Sequence, residues 1–397
     1  MSAGGTMYRR RDTPSLGRRV FGGVSIPPTL YVPPRSSLLV VGPTQVGKTT
    51  ALVVPTILRW HGPVVVTSVK HDVFEVTGPW RSLVGTTRVI DPACDSGMTW
   101  DPLEGVTSLR TGLALARDLV LTGKDRSSAE SEFWNALAVK SLGAIMTAVV
   151  RREETIFEVR SLIEARQFAT LRDDELEPDV DAILGALELM EPRTQDAVCA
   201  TMEAMLLPWQ ISQPLARVRE VLDGENTLYL CAPRTDHRHY EGLFRGALRT
   251  VLDEQERRAS EGRAPRLLLV LDEAASIAPL EDLDQIAATV SGLNVTLVTV
   301  FQDFAQVRAR WADKAATVVN NHTSRIVFGG LVDSHVGELL PSVLEPAKKD
   351  RPPNVDYLRR LGRGYAIVIS AGLPRMRVRV VPWFRDRHLR RRGRAPI

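Results

Sequence analysis

"VGPTQVGKTTALVVPTILRW", residues 41–60, decides how the rest of the chain is read. Gly42 and Gly47–Thr49 fit the pattern G-x-x-x-x-G-K-[ST], behind the apolar run "SLLVV" (37–41) and ahead of a helix-forming stretch. A strand, a glycine loop and a helix in that order make a phosphate-binding loop. Glycines let the chain wrap a β-phosphate closely, and the amides at the helix N-terminus supply positive potential. The expected nucleotide contacts are therefore Gly42, Pro43, Thr44, Gln45, Val46, Gly47, Lys48, Thr49 and Thr50. Lys48 adds a full charge at the β- and γ-phosphates and Thr49 offers its hydroxyl to Mg2+, so ATP and Mg2+ are the expected cofactors. Pro55 stands inside the helix, where it removes the hydrogen bond to Ala51 and predicts a bend costing about 3 kcal/mol.

Working outward, continuous apolar runs recur at "PVVVTS" (63–68), "TRVID" (87–91), "TLYLCA" (227–232), "RLLLVLDE" (266–273), "VTLVTVF" (295–301) and "SRIVFGG" (324–330). Runs without polar alternation belong to a sheet covered on both faces, which predicts an α/β fold with a mostly parallel sheet flanked by helices. The run at 266–273 delivers Asp272 and Glu273 at its carboxyl end, where open parallel sheets bind ligands. Asp272 is the expected second metal group and Glu273 the expected general base for the attacking water. Gln302, at the tip of the next run, can hydrogen-bond both the γ-phosphate and that water, which makes it a sensor of nucleotide state.

Between Leu103 and about Leu215 the pattern turns helical, with Trp134, Leu137, Ala138, Leu142, Ile145, Met146 and Val149 on one stripe. Thr155 with Glu158 reads as a capping box, and Pro192 as a helix start. The expected organisation is a basic amino-terminal segment (1–35), a nucleotide-binding domain (36–103 and 216–386), an all-α insertion (104–215) and a basic tail (387–397). After Gly364 the runs "YAIVIS" and "MRVRVVPWF" predict a closing hairpin.

The net charge of +4 is unevenly spread: residues 1–19 carry +4 and residues 375–397 carry +8, leaving the body at −8. Basic ends on an acidic body suit nucleic acid, an anionic membrane or an acidic partner. Cys94, Cys199 and Cys231 are too few and too scattered for a disulfide framework or a zinc site, which fits a reducing cytosol. No run approaches the roughly 18 uninterrupted apolar residues of a membrane span. The apolar piece "LGAIMTAVV" (142–150) is half that length. The expected location is cytoplasmic, with a peripheral position at the inner face of the cell membrane.

With these residues in view, the chain resembles the TraG/TraD family of type IV coupling proteins, the motor ATPases of conjugation and type IV secretion. The likeness rests on "GKTTALVVPTILRWHGPVVVTSVKHD", "DP" (91–92), "TWDPL" (99–103), "FW" (133–134), the strand ending in Asp272 and Glu273, and "QDFAQ" (302–306). The resemblance implies a hexameric ring with DNA or a relaxase–DNA complex as cargo, type IV secretion components as partners, and a membrane-anchoring partner. Three positions depart from the family. His71 stands where a glycine is common, and Val290 and Ser291 stand where many members carry a basic residue acting across a subunit boundary, leaving Arg325 and Arg234 as substitutes for an arginine finger. The family's amino-terminal membrane helices are missing, which leaves a soluble member, an anchor on a partner or a wrongly chosen start. Two other readings stay open: a DNA pump of the FtsK or HerA type, and a nucleotide-gated adaptor with little turnover.

Overall fold

A computed structural model describes residues 13–21, 24–94, 97–120, 129–232, 237–277, 280–331, 335–339, 356–370 and 375–394. The chain divides into two units, Met1–Arg88 with Glu220–Cys231 and Glu254–Ile397, and Val89–Arg219 with Ala232–Asp253.

The first unit is built on β1 (Ser15–Phe21), β2 (Val24–Tyr31), β3 (Ser37–Val41), β4 (Val64–Ser68) and β5 (Thr87–Ile90). Further strands are β8 (Thr227–Cys231), β9 (Leu267–Leu271), β10 (Val295–Phe301), β11 (Ser324–Phe328), β12 (Tyr365–Ser370) and β13 (Met376–Arg379). They form one sheet in the order β2-β1-β13-β12-β11-β3-β10-β9-β4-β8-β5. From β11 to β8 every pairing is parallel, while β12, β13, β1 and β2 extend the sheet antiparallel. Strands β3, β4, β8, β9 and β10 are buried along their whole length, as their unbroken apolar runs require. The hairpin expected after Gly364 is the β12–β13 pair.

Helices of this unit are α1 (Val54–Arg59), α2 (Asp72–Val84), α9 (Leu283–Thr289), α10 (Phe304–Trp311), α11 (Ala315–Asn321), α12 (Val336–Leu339), α13 (Asp356–Arg359) and α14 (Arg387–Arg392). Two ends of the chain depart from expectation. Within the expected basic segment 1–35, residues 15–31 form two strands, hidden in the sequence because β2 carries Pro27 and Pro28, which only an edge strand tolerates. Residues 1–12 lie outside the described residues. The expected tail folds as α14, because Asp386 caps it by accepting from the amides of His388 and Leu389, and Leu389 is buried against Val54 and Leu58.

Pro55 corrects a third expectation. Thr49–Val53 wind as a π-helical turn, and Pro55 then falls in the first turn of α1. The Val54 amide donates to Thr49 O, five residues back, and the Thr56 hydroxyl donates to Leu52 O at 2.7 Å. The strain of a mid-helix proline is thereby taken up by a wider turn directly behind the phosphate loop.

The second unit holds β6 (Thr99–Trp100), α3 (Leu109–Leu119), α4 (Ala129–Arg151), α5 (Ile156–Ala165), α6 (Pro178–Glu188), α7 (Pro192–Met205), β7 (Leu215–Ala216) and most of α8 (His237–Ser260). The Thr155–Glu158 capping box opens α5, and Pro192 opens α7. Helix α4 packs against α3, α5, α6 and α7, with Ala138, Leu142, Ile145, Met146 and Val149 completely buried. Its stretch Ser131–Arg151 is long and apolar enough to cross a membrane by length and composition, and it is the core helix of this unit. The helical segment begins and ends at the short parallel pair β6–β7. The unit reaches beyond 104–215 because Trp100 packs into it: Trp209 Nε1 donates to Trp100 O at 2.8 Å, and a Cβ on Gly246 would lie 2.7 Å from the Trp100 ring.

Candidate nucleotide site

The phosphate loop leaves the carboxyl end of β3 at the centre of the parallel sheet. Strand β10 lies directly between β3 and β9, with Phe301 in register with Val41 and Thr299 with Leu271. Adjacency of three strand ends therefore brings Gly42–Thr50, Asp272–Glu273 and Gln302 to one edge of the sheet.

The two loop glycines serve different needs. Gly47 has φ +100°, a left-handed conformation that favours glycine. Gly42 is required by space, since a Cβ there would sit 2.7 Å from Phe328 Cβ on β11. Gln45 also adopts positive φ, at 63°. Among the loop residues Thr44 and Gln45 are exposed, Pro43, Val46, Gly47, Thr49 and Thr50 are half-buried, and Lys48 is buried.

Lys48 donates from Nζ to Pro43 O at 2.8 Å and to Gly42 O, so its ammonium lies inside the loop. Burial lowers its pKa, opposed by the carboxylates of Asp272, Glu273 and Asp303. Thr49 Oγ1 donates to Asp272 Oδ2 at 3.3 Å. Burial pushes the Asp272 carboxyl up to about 7, with repulsion from Glu273 and Asp72 adding to it and Lys48 and Thr49 opposing it. Among the described residues no three acidic or imidazole groups converge as a metal cluster, and the buried Asp272 carboxyl with the Thr49 hydroxyl is the oxygen pair that a divalent cation would meet, its charge favouring ionised Asp272.

Glu273 sits at φ +57°, an uncommon conformation for a side chain of its size. Its Oε1 accepts from Gln302 Nε2 at 3.0 Å, and its Oε2 is buried with no hydrogen-bond partner among the described residues. A buried carboxylate oxygen in that condition is an acceptor waiting for a donor such as water. Gln302 is itself fixed, because its amide donates to Gln306 Oε1 at 3.0 Å while Asp303 Oδ1 accepts from the Gln306 amide at 2.8 Å. The Asp303–Gln306 spacing is a capping signal at the start of α10 that sequence reasoning could have used to place Gln302. Phe328 and Asp72 carried no comparable signal, since only the sheet order and the start of α2 bring them to the site.

Arg325 has partners within its own chain. Its Nε donates to Val319 O at 2.8 Å and an Nη to Asn320 O at 2.6 Å, which commits the guanidinium to the carboxyl end of α11. Arg234 lies outside the described residues.

The family model described as type IV secretory system conjugative DNA transfer matches residues 30–335. A conjugal transfer protein TraG of Escherichia coli is 23% identical, over 69% of this chain and 49% of its own length. Protein VirD4 of Rhizobium radiobacter is 21% identical, over 89% of this chain and 58% of its own. The chain thus spans about half the length of the curated relatives it matches. Plasmid coupling protein TrwB, solved with ADP and Mg2+, superposes with a TM-score of 0.64 at 17% identity, covering 93% of this chain and 95% of that one. The same protein with a non-hydrolysable ATP analogue gives a TM-score of 0.63 over 88% and 86% of the two chains. At that identity the likeness establishes the fold, a P-loop NTPase sheet.

Proposed function

The chain belongs to the type IV secretory system conjugative DNA transfer family, and we propose that it is an ATP-hydrolysing coupling motor that recruits or moves DNA, or a relaxase–DNA complex, to a secretion channel. The observation that carries the catalytic part is the state of Glu273: one carboxylate oxygen is held by Gln302 and the other is buried without a partner among the described residues. In this reading the amides of Gly42–Thr50 and the Lys48 ammonium bind the phosphates, and Thr49 and Asp272 hold Mg2+. The metal, when bound, neutralises charge on the β- and γ-phosphate oxygens. Glu273 Oε2 accepts the proton of the attacking water, and Gln302 orients Glu273 and reports the γ-phosphate.

The wider assignments follow from the family: a homo-oligomeric ring, secretion-channel components as partners, and a position at the inner face of the membrane through an anchoring partner. The all-α segment 104–215 is assigned to substrate recognition. These rest on the family relationship and on TrwB having been solved with ATP-site ligands.

The test separates binding from turnover. Lys48→Ala should abolish ATP binding, whereas Glu273→Gln should bind ATP normally and lose hydrolysis by at least about 10²-fold. A Glu273→Gln protein that hydrolyses at the wild-type rate would remove Glu273 from the mechanism.

A further inference from the structure

Five arginines at the carboxyl end, Arg385, Arg387, Arg390, Arg391 and Arg394, are exposed, and none makes an ion pair among the described residues. In α14, Arg387, Arg390 and Arg391 follow i, i+3, i+4 and so share one face, and Arg394 lies two residues past its end. The opposite face is anchored. Leu389 is buried with Val54 and Leu58, flanked by Val76, Trp80 and Trp383. The Arg392 guanidinium lies 4.5 Å over the Trp80 ring and also donates to Leu58 O. Asp386, the only acidic residue after position 375, is bound by Arg59 at 2.9 Å. That carboxylate is therefore bound by a residue from α1, Glu225 acts on Arg392 of the anchored face, and the arginine face carries no carboxylate of its own. On the turn before the helix, Phe384 is 44% exposed and packs edge-on against Trp383.

We propose that this arginine face, with Phe384 on the turn that precedes it, is a docking surface for single-stranded nucleic acid, the guanidiniums taking successive phosphodiesters and the phenyl ring a base. The proposal rests on the DNA-handling role given above and names a place for the contact. A helix fixed by packing holds Arg387, Arg390 and Arg391 in register over about 6 Å, the scale of neighbouring phosphates, so little backbone order must be gained on binding. Arginine forks match phosphate geometry. An exposed aromatic beside a cationic track is the arrangement that favours unpaired bases over a duplex, whose bases are already stacked. The surface is seated on α1, the helix that continues directly from Lys48 and Thr49.

The experiment uses the full chain with a fluorescein-labelled mixed-sequence oligonucleotide, single-stranded and as a duplex, and vesicles containing anionic phospholipid. For Arg387→Ala/Arg390→Ala/Arg391→Ala, single-strand affinity should fall at least about tenfold near 0.1 M salt, and the slope of log affinity against log salt should decrease by about 2. Phe384→Ala should weaken the single strand several-fold and leave the duplex unchanged. ATP affinity, unchanged in both variants, reports intact folding. Wild-type binding to the oligonucleotide that the triple variant retains overturns the surface while leaving the coupling-motor reading standing. Loss of vesicle capture with DNA binding retained assigns the face to lipid and overturns the proposal. Equal losses of single strand and duplex with no effect at Phe384 overturn the single-strand assignment. A wild-type protein that binds no nucleic acid overturns both this surface and the DNA-handling role.

Discussion

Gln302, at the end of β10, donates from Nε2 to Glu273 Oε1, at the end of β9, at 3.0 Å. The bond ties two neighbouring strand ends and leaves Glu273 Oε2 without a partner among the described residues. Gln302→Ala should therefore keep ATP affinity within a few-fold of wild type and lower kcat by about 10²-fold, because Glu273 loses its orientation rather than its charge. Nucleotide affinity and steady-state hydrolysis on the same preparation check this. A variant with unchanged kcat would mean that the Gln302–Glu273 bond is structural only.

Arg325 gives the opposite expectation. Since its guanidinium holds Val319 O and Asn320 O, Arg325→Ala should cost about 1–2 kcal/mol of stability through the frayed end of α11. When mixed with wild-type protein it should lower activity in proportion to its share, not dominantly. A titration of mixed assemblies measures this, and dominant poisoning at small fractions would restore Arg325 as a finger.

Buried His322 makes the fold sensitive to acid. Its Nδ1 lies 2.7 Å from Val318 O and its Nε2 lies 3.0 Å from Thr299 Oγ1 on β10, so Nδ1 carries the proton and Nε2 accepts. Burial lowers its pKa from 6.5 to about 4. The unfolded chain binds the proton more readily, so the stability from this group is full above pH 6.5 and is lost as pH falls towards 4, by about 3 kcal/mol. Asp272, raised to about 7, titrates with the opposite sign, since its protonated form favours the fold. The difference between wild type and His322→Gln in denaturant midpoint across that range isolates His322. A difference that does not change with pH would refute the assignment.

Arg81 is completely buried on α2 and donates to Trp60 O, Gly62 O, Glu225 O and Thr227 Oγ1 at 2.7–2.9 Å. Arg81→Met should orphan these acceptors and cost roughly 3 kcal/mol or more. Arg81→Lys keeps the charge but cannot reproduce the fork, so it should recover only part of the loss. Chemical denaturation of both variants checks the order; equal stability of Arg81→Met and wild type would contradict it.

The residues of the candidate nucleotide site were legible because their signals are local in the chain. Gly42–Thr50 encode a loop between a strand and a helix, and Asp272, Glu273 and Gln302 each close an apolar run. Periodicity supplied the parallel strands and the helical stretch for the same reason: burial on both faces, or on one stripe, is written into consecutive residues. Long-range packing decided the rest. That Gly42 must lack a side chain depends on Phe328, brought near only by the pairing of β11 with β3. The strands at 15–31 carry a weak local signal, and their register comes from β13 at the far end of the chain. In sequence the arginine-rich end is a basic tail and not a packed helix, because its one buried apolar residue, Leu389, has its partners in α1. Local sequence determines backbone preference and the chemistry each side chain can offer. Which side chains meet, and therefore which charges are neutralised and which remain to bind a partner, is set when distant segments exclude water from one another.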